Sequence, residues 1–195
     1  MRVAVVVAHP NPDGFSHAIA RTATSALRNA GHEVTVLDLY AEGFRTAMTF
    51  EERHAYHGDD PIRDPMVRRH ADVVMQAQAL VFVYPTWWST VPAILKGWLE
   101  RVLVPGVGFV FDARQHVRPG MTHVQRLIGI STYGASRPLV TLLHDNGRRT
   151  LMRALRLNTG WRTRRTWLAL YAMDRRTAGE RTAFLQRVAT TMEKL

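Results

Sequence analysis

The feature that most restricts the fold is an alternation of short apolar runs with amphipathic segments. Residues 3–8 and 79–84 are uninterrupted apolar runs, and β-branched residues dominate the first. Runs of this kind are typical of strands that are buried on both faces of a parallel sheet. Between them, residues 16–29 repeat apolar side chains at helical spacing. The pattern therefore predicts an α/β fold with a doubly wound parallel sheet and helices on both faces.

The same pattern, followed along the chain, predicts a complete set of elements. Five strands are expected, at residues 3–8, 32–37, 80–84, 125–131 and 165–171. Helices are expected at residues 16–29, 65–78, 91–104, 138–157 (with a break near Gly147) and 177–195. Residues 41–65 are expected to be irregular with one helical turn near 51–55, and residues 109–119 to form a loop or small hairpin. No repeat or linker interrupts the pattern, so residues 1–195 are predicted to form one domain.

Composition excludes several classes of protein. The chain has no cysteine, which excludes a disulfide scaffold, an iron–sulfur cluster and a cysteine zinc site. No apolar run approaches the ~20 residues that span a bilayer, and residues 1–12 lack a secretory cleavage pattern. A soluble cytoplasmic protein is therefore expected. His54 and His57 lie three residues apart in a polar segment, but without further ligands a solvated loop is favoured over a metal site.

The charge of the chain is strongly positive. The formal net charge is +10, and only two of the 26 basic residues are lysines. Residues 137–176 contain ten arginines and only two acidic residues, Asp145 and Asp174. Two interpretations remain open for this segment: a solvated basic face, or a surface that binds a phosphate, an acidic partner or an anionic membrane.

Ligands of open α/β sheets bind beyond the carboxyl ends of the strands, which directs attention to the loops after Ala8, Tyr84 and Ile130. In the first loop, Ser16 is predicted to be the N-cap of the following helix. Its hydroxyl and the amides of His17 and Ala18 are predicted to hold a phosphate, because a helix N-terminus attracts anions. The alternative is that Ser16 only caps its helix. Glycine-rich dinucleotide and P-loop motifs are absent, which disfavours those modes of binding.

The second loop carries two adjacent tryptophans, Trp87 and Trp88, directly after a buried strand. Indole rings suit a planar heterocycle, although tryptophans in general are more often core or interface residues. Thr90 is predicted to cap the next helix. On that helix an apolar face is expected to point inward, with the charged side chains of Lys96, Glu100 and Arg101 outside.

The stretch from Pro85 to Val102 resembles a segment of the flavodoxin-like NAD(P)H:quinone oxidoreductase family, P-x-x-W-x-x-x-P-A-x-L-K-G-W-x-[DE]-R-V. The first loop and Gly108-Phe109 are similar to further elements of that family. The resemblance implies a flavodoxin-like fold with bound FMN or FAD, and the short chain favours FMN. It implies phosphate-binding roles for His9, Ser16, His17 and Ala18. It implies that the isoalloxazine edge is held by Pro85, Thr86, Trp87 and Trp88.

The third loop matches the family less well. The resemblance implies that the pyrimidine end of the flavin is bound by Ser131, Thr132, Tyr133 and Gly134. Tyr133 stands where the family has a glycine, so a positive φ there would strain the backbone. Tyr133 and His144 are candidate catalytic residues for proton transfer, while Leu139 occupies the position of the family's tyrosine. A solvated turn is the alternative for His144.

The resemblance implies an enzyme that passes hydride from NAD(P)H through the flavin to a quinone, nitro or azo acceptor by a ping-pong mechanism. A homodimer is expected, with a small-molecule electron acceptor as partner and no nucleic acid. NADPH is expected to be preferred, since Arg137 follows the third loop and arginine forks bind phosphate. Two alternatives remain: a flavodoxin-type electron carrier, and an ancillary flavoprotein of a membrane transporter, associated peripherally through the basic segment.

Overall fold

The computed structural model describes residues 1–195. Its seven strands are β1 (Arg2–Val7), β2 (Glu33–Asp38), β3 (Ala79–Pro85), β4 (Phe109–Phe111), β5 (Val117–Pro119), β6 (Arg126–Thr132) and β7 (Arg164–Leu170). Five of them form one parallel sheet in the order β2-β1-β3-β6-β7, and β4 and β5 pair as a small antiparallel hairpin. The predicted five-stranded parallel sheet is thereby confirmed, with every strand within two residues of its expected bounds.

The helices are α1 (Phe15–Asn29), α2 (Phe50–Ala55), α3 (Pro65–Gln76), α4 (Ala93–Val102), α5 (Arg137–Leu142), α6 (Asn146–Arg149), α7 (Leu155–Thr159) and α8 (Ala178–Glu193). A π-helical turn, Thr150–Ala154, joins α6 to α7. The predicted helix 138–157 is broken before Gly147, because His144 and Asp145 have left-handed backbone (φ 65° and 42°). No helix combines the length and apolar character that crossing a bilayer requires.

The sheet separates two buried cores, as the alternation of side chains along a strand requires. Val5 belongs to the core under α1 and α8, whereas its neighbour Val6 belongs to the core under α3 and α4. Both faces of β1 and β3 are thus covered, which explains their uninterrupted apolar sequences. All five parallel strands end at one edge of the sheet, where the three loops of interest meet.

Arg101 departs from the expected outward position. It is only 3% exposed, and its guanidinium donates to the carboxylates of Glu52 and Asp64 and to the Arg45 carbonyl. Burial of Glu52 opposes its ionisation, but the hydrogen bonds from Arg101 and Thr49 outweigh this and lower the pKa of Glu52. The prediction was wrong because the flank of α4 that carries Arg101 is covered by the polar segment before α3. Lys96 and Glu100 do lie outside, paired with each other.

His70, a buried residue of α3, connects the polar segment before α3 to α4. Its ring is fully buried, and its Nδ1 accepts a hydrogen bond of 2.9 Å from Trp98 Nε1. Because Nδ1 accepts, the ring proton is assigned to Nε2, which donates to Glu42 at 2.7 Å. Burial lowers the pKa of His70, more than Glu42 raises it, so the neutral ring is the stable form.

Gly97 lets the backbone of this segment touch α4 directly. A Cβ atom at position 97 would lie 2.7 Å from Thr46 Cα, closer than real Cβ contacts come. The glycine of the K-G-W element therefore reflects a close approach of two backbones.

Candidate functional site

Helix α1, which follows the first loop, begins earlier than the sequence predicts. Gly14 is the N-cap, and its carbonyl accepts hydrogen bonds from the N–H groups of His17 (3.0 Å) and Ala18 (3.2 Å). The prediction that Ser16 is the N-cap and that the amides of His17 and Ala18 are free is therefore wrong. The amides of this helix N-terminus without a partner in the protein are those of Phe15 and Ser16, about half a turn earlier than predicted.

The His17 side chain follows directly on these free amides. Its Nε2 lies 2.9 Å from Asp38 Oδ2 at the end of β2, while its Nδ1 is buried and has no hydrogen-bond partner. The neighbouring His9 ring lies 6.0 Å from the His17 ring and 6.2 Å from the Trp87 ring, measured between centroids. The first loop thus carries an unsatisfied buried donor or acceptor and contacts the second loop.

The second loop forms a tight turn. Trp87 and Thr90 exchange two backbone hydrogen bonds, of 3.2 and 3.0 Å, and the two residues between them have positive φ: 50° at Trp88 and 59° at Ser89. This left-handed backbone is unfavourable for residues with a side chain, and it holds the Trp88 indole out at 98% exposure. Thr90 closes this turn and does not cap α4. The N-cap is Pro92, so that prediction was wrong.

The third loop is joined to the second by two hydrogen bonds. The Thr86 amide donates to the Thr132 carbonyl (2.8 Å), and the Thr86 hydroxyl lies 2.8 Å from that of Ser131. Tyr133 does not have a positive φ, so the strain considered for it is absent. Its ring stacks on Tyr171 at 4.8 Å, and its hydroxyl donates to both carboxylate oxygens of Asp145 at 3.0 Å.

Between the second and third loops lies a cavity of about 350 Å³, here called the loop cavity. Its walls are formed by Thr86, Trp88, Ser89, Tyr133, Gly134, Ala135, Val140, Leu143 and Asp145. Four of the predicted flavin residues (Thr86, Trp88, Tyr133 and Gly134) therefore meet at one cavity. The other predicted residues do not line it: the first loop and the start of α1 hold His9, Ser16, His17 and Ala18, and the ends of β3 and β6 or the residues just after them hold Pro85, Trp87, Ser131 and Thr132.

The two candidate catalytic residues, Tyr133 and His144, line different cavities. Tyr133 lines the loop cavity, whereas His144 is exposed and lines a neighbouring cleft. Asp145, which the sequence did not single out, takes the place beside Tyr133. The only signal for it is its position before Asn146-Gly147, a turn sequence that tolerates left-handed backbone.

The electrostatics of the loop cavity favour neutral tyrosines. Burial, followed by the negative charge of Asp145, raises the pKa of Tyr133. Burial also raises the pKa of Tyr84, whose buried hydroxyl has no hydrogen-bond partner. Both hydroxyls therefore keep their protons at neutral pH, and that of Tyr133 donates to Asp145.

The sheet order and the three loops at its carboxyl edge define a flavodoxin-like protein. A family model described as "Flavodoxin-like fold" matches residues 1–156, and the chain belongs to that family. It is 32% identical over 149 residues to the NAD(P)H dehydrogenase [quinone] 1 of Rattus norvegicus, a match that covers 69% of this chain and 54% of the relative. The chain thus spans about half the length of that relative.

Two solved structures resemble the chain over nearly its whole length. The Smu.1420 protein of Streptococcus mutans is 25% identical, with a TM-score of 0.87 and complete coverage of both chains. The NAD(P)H:quinone oxidoreductase of Methanothermobacter marburgensis is 26% identical, with a TM-score of 0.81, and the match covers 99% of this chain and 94% of that one. The resemblance to quinone oxidoreductases that the second loop indicated is confirmed.

Proposed function

We propose that this protein is a flavin-dependent NAD(P)H oxidoreductase that reduces quinone, nitro or azo acceptors. The observation that carries the proposal is the connection between two half-sites. The free amides of Phe15 and Ser16 at the N-terminus of α1 favour an anion site in the first loop. The Trp87 ring lies 6.2 Å from the His9 ring, and both chain neighbours of Trp87, Thr86 and Trp88, line the loop cavity. A phosphate with a planar ring attached, as in FMN or FAD, fits this combination.

Each loop has a separate task in this proposal. Ser16 and His17 would hold the flavin phosphate, while Thr86, Trp88 and Gly134 would border the ring. Bound flavin would supply the redox chemistry, taking hydride from NAD(P)H and passing it to the acceptor in a ping-pong cycle. The exposed indole of Trp88 offers a flat apolar surface to whichever small molecule enters.

Tyr133 and Asp145 form a hydrogen-bonded pair at the wall of the cavity. The raised pKa of Tyr133 keeps its hydroxyl protonated, and Asp145 fixes the direction of its O–H bond. Tyr133 is therefore the stronger candidate for holding a proton near the acceptor. His144 lies on the far side of Asp145, in the neighbouring cleft.

The decisive experiment combines flavin identification with turnover. The purified protein is expected to be yellow or to take up flavin, and the flavin released on denaturation is expected to co-migrate with FMN rather than FAD in chromatography. Oxidation of NAD(P)H with a soluble quinone should then give parallel double-reciprocal lines, the pattern of a ping-pong mechanism. A protein that fails to bind either flavin would refute the proposal. A flavin-loaded protein without turnover would instead favour an electron carrier or an ancillary subunit.

We also propose that the protein is a homodimer in solution. Trp88 is almost fully exposed at the mouth of the loop cavity, and Leu142 is 73% exposed on the adjacent α5. Apolar side chains clustered in this way favour association. Multi-angle light scattering at micromolar concentration is expected to give about twice the 22.1 kDa of one chain. A mass of one chain over the whole concentration range would contradict the dimer.

A further inference from the structure

A second cavity, of about 740 Å³, lies beside the edge strand β7 under α5, α6 and the π-helical turn. We call it the arginine cleft, because five of its twelve lining residues are arginines: Arg137, Arg148, Arg149, Arg153 and Arg165. No carboxylate forms an ion pair with any of the five. Part of the basic segment is thus a concave surface, which the interpretation as a solvated basic face does not explain.

Only one acidic residue in the cleft offsets this charge. That residue is Asp145, which already accepts the hydrogen bond of Tyr133. Apart from Asp145 and the arginines, the titratable residues of the cleft are His144 and Tyr171. Arg165 donates to the Met152 carbonyl at 2.8 Å, which orients one guanidinium within the cleft. Like charges confined in this way repel each other and favour binding of an anion.

Two aromatic residues, Trp167 and Tyr171, form the floor of the cleft. The Trp167 indole Nε1 is buried and has no hydrogen-bond partner, and the Arg148 guanidinium lies 5.8 Å from the centre of the Trp167 ring. A flat anionic membrane cannot reach such a floor, whereas a small molecule with several negative oxygens can contact both the floor and the arginines.

We propose that the arginine cleft binds a phosphate chain of the pyrophosphate type. Guanidinium forks match phosphate oxygens in pairs, and linked phosphates present enough oxygens to contact several arginines at once. The cleft and the loop cavity share Val140 and Asp145 as lining residues, so one extended molecule can occupy both. The phosphates therefore come either from the nicotinamide nucleotide, a source that rests on the proposed function, or from a free polyphosphate.

Inorganic pyrophosphate tests the site without any catalysis. Titration of the wild-type protein by calorimetry is expected to show binding that weakens with salt. Arg149→Gln and Arg153→Gln should each raise the dissociation constant about tenfold or more, because each removes a charge-assisted contact. Arg162→Gln is the matched control, since Arg162 is an exposed arginine of the same basic segment that does not line the cleft.

Circular dichroism would confirm that the variants are folded. Absence of pyrophosphate binding to the wild-type protein, or an equal loss in all three variants, would overturn the proposal. So would binding to vesicles containing phosphatidylserine when pyrophosphate does not bind, because the basic segment would then serve a membrane. These results do not depend on turnover, so they stand even if the oxidoreductase proposal fails.

Inhibition kinetics with pyrophosphate against NADPH identify the source of the phosphates. If the nucleotide supplies them, pyrophosphate should inhibit competitively against NADPH, and Arg153→Gln should lower kcat/KM for NADPH with little change in kcat. If a free polyphosphate is the ligand, pyrophosphate should bind with unchanged affinity in the presence of saturating NADPH. Both outcomes support the cleft as a phosphate site.

Discussion

Substitution of Arg101 by alanine is expected to lower the free energy of unfolding by about 3–5 kcal/mol, the usual effect of removing one partner of a buried ion pair. The guanidinium is the shared partner of Glu52 and Asp64, and Glu52 is itself only 6% exposed. Without Arg101, the Glu52 carboxylate stays buried with no opposing charge. The segment that it anchors would then separate from α4.

Urea denaturation of Arg101→Ala measures this effect directly, with Lys96→Ala as the control. Lys96 and Glu100 form an ion pair on the same helix, but both are more than half exposed. The control should lose no more than about 0.5 kcal/mol, as exposed pairs do. Adding Glu52→Gln to Arg101→Ala should recover part of the loss, because the uncompensated charge is removed. A loss below about 1 kcal/mol for Arg101→Ala would show that the buried pair is not stabilising.

The second large effect is expected at the first loop. Ser16→Glu should weaken flavin binding by more than about a hundredfold, because like charges held close together cost several kcal/mol. Ser16 is only 3% exposed and lies between the free amide of Phe15 and His17. A carboxylate there would compete with the phosphate for the same donors.

Titration by quenching of flavin fluorescence gives the dissociation constants. Ser16→Ala is the matched control and should retain binding within about tenfold, because the backbone amides remain. Ala18→Glu, at a partly exposed position one residue beyond His17, keeps the test valid if Ser16→Glu does not fold. Unchanged affinity in both glutamate variants would place the phosphate elsewhere.

The sheet could be predicted from the sequence because each parallel strand is recognisable from its own residues. The apolar runs of β1 and β3 need no distant partner to be recognised, and the loops that follow them are necessarily at the ligand-binding edge. The tryptophan loop was predicted for the same reason, since Trp87 and Trp88 come directly after a buried strand.

The errors all involve contacts between residues far apart in the chain or competition between neighbouring caps. Arg101 was placed outside because its partners, Glu52 and Asp64, are 49 and 37 residues away. Ser16 was taken for an N-cap although Gly14, two residues earlier, already has the extended backbone of one. The contact of Asp145 with Tyr133 and the arginine cleft both depend on how α5, the π-helical turn and β7 pack together. The periodicity of the sequence does not contain this information.

Gly97 has a consequence for how related sequences vary. A chain with any side chain at this position must route its equivalent of residues 41–49 along another path, because the Thr46 backbone occupies the space. Glu42 lies in this segment, and Glu52 lies in α2 just after it. On another path, His70 would lose its hydrogen bond to Glu42 and Arg101 its ion pair with Glu52. Across an alignment of relatives, positions 42, 52, 70, 97 and 101 are therefore expected to change together. The presence of glycine at position 97 would be enough to identify the relatives that keep the buried ion pair.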